Sequence, residues 1–177
     1  MDMDEILPRL WVGACPRGVG DVDRLQRQFG VTAVLNVQTE EDFAYWGIDW
    51  PILEAHYRRR RIEVRRVGVR DFDPDHLRRR LPDCVRALDE LLRAGHTVLV
   101  HCSAGVNRSP STVIAYLHWV LGWELDRALR HVADRRACDP YWEAIQSATA
   151  DWQKQWAGAE RTDPIGRNST EGQKGSP

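Results

Sequence analysis

The chain has 177 residues, 29% of them charged, and a formal net charge of -1; that is room for one domain with a proper core, and the charge balance favours neither nucleic acid nor an anionic membrane as a partner. Its four cysteines, Cys15, Cys84, Cys102 and Cys138, have neither metal-ligand spacing nor the density of a disulfide framework, which suits a reducing compartment. No apolar run approaches membrane-spanning length, and the acidic opening Met1-Asp2-Met3-Asp4-Glu5 is unlike a targeting peptide, so a cytoplasmic monomer is expected, or a plastid protein if a transit peptide has been removed.

Apolar periodicity alternates between strand and helix. Residues 10–13 predict a strand, 21–29 a short helix stopped by Gly30, and the β-branched run 31–37 a second strand. Residues 39–60 are mixed: Trp46-Gly47-Ile48-Asp49 and Trp50-Pro51 break the pattern before a helix that ends in the arginine run 58–61. A strand over 62–69, an aspartate-rich loop over 70–75 and a long helix over 76–94 come next, with Pro82 inside the helix and Gly95 as its stop. The strand at 97–101 enters a glycine-containing loop, and helices are expected at 109–121, 124–136 and about 140–156. From residue 158 the composition turns to Gly, Ser, Thr, Asn, Gln and Pro, which predicts one domain over 1–157 and a disordered tail over 158–177. Alternating strands and helices predict an α/β fold with its site at the carboxyl end of a strand.

That site announces itself in His101-Cys102-Ser103-Ala104-Gly105-Val106-Asn107-Arg108-Ser109. A cysteine and an arginine six positions apart, on a loop between strand and helix, are what phosphate-ester hydrolysis through a cysteine nucleophile requires. Backbone N–H groups of residues 103–107 can turn inward and cradle phosphate oxygens, and the positive end of the following helix adds to the same point. This field and Arg108 favour the thiolate of Cys102, the nucleophilic form. Arg108 can grip two oxygens in a planar fork, and Ser109 can donate its hydroxyl to the sulfur as it leaves the phosphoenzyme. His101 is read as a loop support, its imidazole bonded to backbone.

The reaction also needs an acid to protonate the leaving alcohol and a base to activate water, and one carboxylate can do both in turn. Arg70-Asp71-Phe72-Asp73-Pro74 supplies Asp71 and Asp73. An aspartate before a proline or a helix is commonly a cap; Asp73 or Asp75 fits that role better, which leaves Asp71 as the acid.

The 101–109 run resembles the dual-specificity branch of the cysteine phosphatases. Glu5-Ile6-Leu7-Pro8-Arg9-Leu10-Trp11-Val12-Gly13, Tyr45-Trp46-Gly47-Ile48-Asp49, Asp71-Phe72-Asp73-Pro74 and Leu77-Arg78 to Leu81-Pro82 are similar to the catalytic domains of starch (glucan) phosphatases and laforin. The resemblance implies a central, mostly parallel five-stranded sheet flanked by helices, and a two-step mechanism with no metal or other cofactor. It implies phosphorylated starch- or glycogen-like chains as substrate, with Cys102 as nucleophile, Arg108 as phosphate grip and Asp71 as acid and base. Trp46 and Phe72 would be aromatic platforms for sugar rings, whose C–H faces stack on flat side chains; large aromatics also simply pack under loops. One departure stands out, Asn107, where the glucan members favour a small residue.

Three other readings use the same residues. A protein phosphatase acting on phosphotyrosine and phosphothreonine would share the chemistry and differ in the walls of the pocket. A phosphoinositide phosphatase would want charge within the loop, and residues 103–107 carry none. A non-catalytic binding module would ordinarily show a damaged nucleophile or arginine.

Overall fold

The computed structural model describes residues 2–159, with side chains through Lys154. Four strands run parallel: β2 (Leu10–Gly13), β3 (Ala33–Asn36), β4 (Glu63–Arg66) and β5 (Val98–His101), while β1 (Met3–Leu7) closes one edge antiparallel to β2. The sheet order is β1-β2-β5-β3-β4, the mostly parallel five-stranded sheet that the family resemblance implied. Between the strands lie α1 (Val19–Phe29), α2 (Glu40–Trp46), α3 (Trp50–Arg59) and α4 (Pro74–Arg93); α5 (Arg108–Trp119), α6 (Leu125–Ala133) and α7 (Trp142–Ala159) follow the last strand. No described helix is long and apolar enough to cross a membrane.

Period-two alternation in the strands builds two cores. Ala33, Leu35, Val98 and Val100 face α4, α5, α6 and α7, where they meet Leu81, Leu88, Ile114 and Ile145. Val34 and Leu99 face the other way, onto Val22 and Leu25 of α1 and Leu53 and Tyr57 of α3. Each fully buried Leu or Ile contributes about 1.5–3 kcal/mol relative to exposure, so the two cores clamp the sheet from both sides. Gly13 and Asn36 both stand opposite His101 in the ladder. The carboxyl ends of β2, β3 and β5 are therefore level, and the segments leaving them converge on one rim.

Several elements depart from the sequence reading. β1 was not expected, because only Met3, Ile6 and Leu7 are apolar and an irregularity between Glu5 and Leu7 breaks the period of two. α2 was not expected either: at seven residues it is too short to show a helical stripe, and it is nucleated by a capping box of Thr39 and Asp42. The strand expected over 62–69 pairs only over Glu63–Arg66; beyond that, Val67 and Val69 still donate backbone N–H groups to Asn36 and Val37. α7 carries the chain to Ala159, two residues past the expected end of the domain at 157; residues 160–177, where the rest of the expected tail falls, lie outside the described residues.

Candidate active site

β5 ends at His101 and α5 begins at Arg108, so residues 102–107 must turn within a short arc. Gly105 makes the turn with φ of 71°, and a Cβ there would strike the Gly13 carbonyl and the Arg136 guanidinium. Only glycine fits both constraints. Cys102 sits in the resulting cup, its Sγ accepting from the Gly105 N–H at 3.2 Å and from Ser109 Oγ at 3.3 Å. The N-terminal end of the twelve-residue α5 opens onto the same loop, which suits an anion.

Arg108 is 1% exposed and anchored from three sides. Nη1 donates to Asp42 Oδ2 at 2.8 Å and to the Val69 carbonyl at 2.9 Å. Nη2 donates to Asp42 Oδ1 and Asp71 Oδ2, each at 2.8 Å, and to Ser103 Oγ at 3.2 Å. Nε is buried with no partner among the described residues, and an unpaired charged donor at that depth calls for an acceptor. Burial opposes the charge of Arg108, yet Asp42 and the neighbouring Cys102 and Asp71 hold its pKa above the ordinary value. Burial likewise opposes the charge of Asp42, but Arg108, Ser103 and the Thr39 N–H outweigh it and keep that carboxyl at about 2.

The other expected residues sort by geometry. Asp71 reaches Arg108 and is partly open to solvent, whereas Asp73 caps α4 by accepting from the His76 N–H at 2.8 Å. His101 Nδ1–H donates to the Cys102 carbonyl at 3.0 Å, and burial pushes its pKa down to about 4, so the ring is neutral at physiological pH. Asn107 spends its side-chain amide on a strut, Nδ2 to the Asp139 carbonyl at 2.8 Å. That contact accounts for a larger residue at this point of the loop.

Two residues central to this arrangement escaped the sequence reading. Asp42 is one of 26 acidic residues, and the T-x-x-D spacing from Thr39 was its only signal. Arg136, in an arginine-rich chain, had none. Its Nε donates to the Gly105 carbonyl at 2.5 Å and Nη2 to the Ala104 carbonyl at 3.1 Å, while Asp2 and Asp4 pair with it from the β1 end. The back of the loop is thereby tied to the edge strand.

In front of the loop opens a cleft of 760 Å³ that includes Asp42, Asp71, Ser103 and Ala104. Trp46 and Phe72 both line it, and so does Tyr45, which the sequence reading quoted without singling out. Phe72 is 88% exposed and Tyr45 82%, and Phe72 holds a positive φ of 55°, an uncommon conformation for a bulky side chain. Trp46 is more covered, with the Arg17 guanidinium over its ring at 4.4 Å and Tyr45 edge-on at 5.2 Å. Trp119 stacks on Trp152 at 5.1 Å in a separate cleft that shares no lining residue with this one.

Residues 10–143 match the family model described as the dual specificity phosphatase catalytic domain. The chain is 38% identical over 148 residues to a Castanea sativa protein named phosphoglucan phosphatase DSP4, amyloplastic, covering 82% of this chain and 39% of that one. It is 34% identical over 146 residues to laforin of Mus musculus, covering 77% of this chain and 44% of that one. The chain thus spans less than half the length of either relative. Among solved structures, human DUSP28 superposes with a TM-score of 0.64 at 28% identity, covering 86% of this chain and 96% of that one. By this match and by the cysteine–arginine loop at its centre, the chain belongs to the dual-specificity phosphatase family.

Proposed function

We propose that this protein is a cysteine-dependent phosphomonoesterase that removes phosphate from glucan chains. The Cys102 thiolate attacks phosphorus as the P–O bond to the sugar breaks, and Asp71 gives its proton to the departing sugar oxygen. The loop amides and Arg108 carry the oxygens while charge spreads over them. Asp71, now a carboxylate, takes a proton from water, which attacks the thiophosphate; the P–S bond breaks, phosphate leaves, and the Ser109 hydroxyl steadies the departing thiolate. In this reading the protein works as a monomer on starch- or glycogen-like polymers in a reducing, cytoplasmic setting.

One observation carries the choice of substrate: the cleft that reaches Asp71 and the loop is walled by Tyr45, Trp46 and Phe72, rings of the kind that stack on the C–H faces of sugars. The identity to a protein named for phosphoglucan supports the same choice. The test is phosphate release from solubilised phosphorylated amylopectin and from a phosphopeptide panel, with wild type and Cys102→Ser. Release from glucan by wild type alone is expected, with Trp46→Ala and Phe72→Ala losing glucan turnover far more than aryl phosphate turnover. Release from phosphopeptides alone would make the protein a protein phosphatase and return the rings to packing.

A further inference from the structure

Asp42 touches both halves of the site. Its two oxygens meet the Arg108 fork at 2.8 Å each, and Oδ1 also accepts from Ser103 Oγ at 2.6 Å. Oδ2 accepts in addition from the Thr39 backbone N–H at 2.8 Å and from Thr39 Oγ1 at 3.0 Å, closing the capping box of α2. A cap needs only one oxygen; here the second is given wholly to the phosphate-binding side. The carboxylate is 7% exposed, so it cannot trade these partners for water.

α2 is the element that carries two of the three rings, Tyr45 and Trp46. At a rise of about 1.5 Å per residue, Tyr45 and Trp46 stand about 4.5 and 6 Å farther along its axis than Asp42. Their i+3 and i+4 spacing puts them on the same side of the helix. A buried ion pair of this kind is a poor source of net stability but a stiff way to fix one element against another. We propose that Asp42 is a specificity-determining positioning residue, holding the Arg108 fork and the ring-bearing α2 at one separation so that a phosphate is turned over best when its carrier also spans to Tyr45 and Trp46. The inference rests on the glucan reading and adds to it the residue that couples phosphate to sugar.

Two substitutions separate charge from register. Asp42→Asn removes the charge and turns an N–H donor toward the fork, so kcat/KM with an aryl phosphate should fall at least about tenfold. Asp42→Glu restores the carboxylate on a stem one methylene longer. Aryl phosphate turnover should return to within about threefold of wild type, while the ratio of glucan to aryl kcat/KM stays at least about fivefold lower, mostly through a raised glucan KM. Thr39→Ala weakens the cap without touching Arg108 and should leave that ratio unchanged. The proposal fails if Asp42→Glu recovers the wild-type ratio, or if Thr39→Ala reproduces its loss, since the role would then be capping alone. Should Asp42→Asn not fold, the Glu and Thr39 variants decide the question by themselves. A wild-type enzyme silent on phosphoglucan would remove the glucan reading and this proposal with it, an outcome distinct from an active wild type with an unaltered ratio in the variants.

Discussion

Replacing Arg108 by lysine keeps the charge and removes the fork. Five acceptors lie within 3.2 Å of the two terminal nitrogens of Arg108: both Asp42 oxygens, Asp71 Oδ2, the Val69 carbonyl and Ser103 Oγ. An ammonium has three protons, so at least two of these acceptors go unserved. At the lower end of about 1.5–3 kcal/mol for each hydrogen bond to a charged group, Arg108→Lys should destabilise the fold by at least about 3 kcal/mol. For a domain of this size that lowers Tm by about 6–12 °C. The kinetic loss is larger, because a point charge cannot span two phosphate oxygens. Losing one transition-state donor costs about 10²–10³ in kcat, and the lysine also has no counterpart of the buried Nε. The assay is kcat/KM with an aryl phosphate at a temperature well below the Tm of the variant, so that folding and chemistry are read separately. Turnover within threefold of wild type would refute the assignment of Arg108 as the phosphate grip.

Asp71→Asn should lower the rate on phosphoglucan by about 10²–10⁴ and much less on an aryl phosphate, whose leaving group needs little protonation. Asp73→Asn should cost stability at the α4 cap with little kinetic effect; a larger rate loss from Asp73→Asn than from Asp71→Asn would reverse the assignment. Gly105→Ala meets both a positive φ and a collision with Gly13 and Arg136, so kcat/KM should fall more than tenfold while the fold persists, and unaltered kinetics would show that the loop does not need this shape. His101 supplies a pH dependence. Its folded pKa of about 4 lies below the ordinary 6.5, so between those values the unfolded chain binds a proton that the folded chain refuses. Stability should therefore decline as pH falls from 6.5 toward 4, by about 3 kcal/mol at most, and His101→Asn should flatten urea midpoints across that window. A wild-type profile already flat there would overturn the neutral, buried assignment. Asp42, held at about 2 against an ordinary 3.8, loses its share only below that window.

The sequence by itself determined the chemistry and the class of fold. Cys102, Gly105, Arg108 and Ser109 are legible because they fall within one run of eight residues, and a loop between an apolar strand and a helix admits few other uses for them. The parallel core strands β3 and β5 are legible because they are buried on both faces and so read as short apolar runs. What the tertiary structure decided are the contacts between residues far apart in the chain. Asp42 and Arg108 are 66 positions apart, and Arg136 reaches Gly105 across 31. Neither pairing has a periodic signature, since an ion pair constrains only its two ends and the fold supplies the approach. The same holds for α2 and for β1, whose short lengths carry too few apolar positions to show a period and which form because neighbours cap or pair them. The two aspartates that the sequence had already separated stand apart in the structure as well: Asp73 caps α4 through the His76 N–H, and Asp71 meets Arg108.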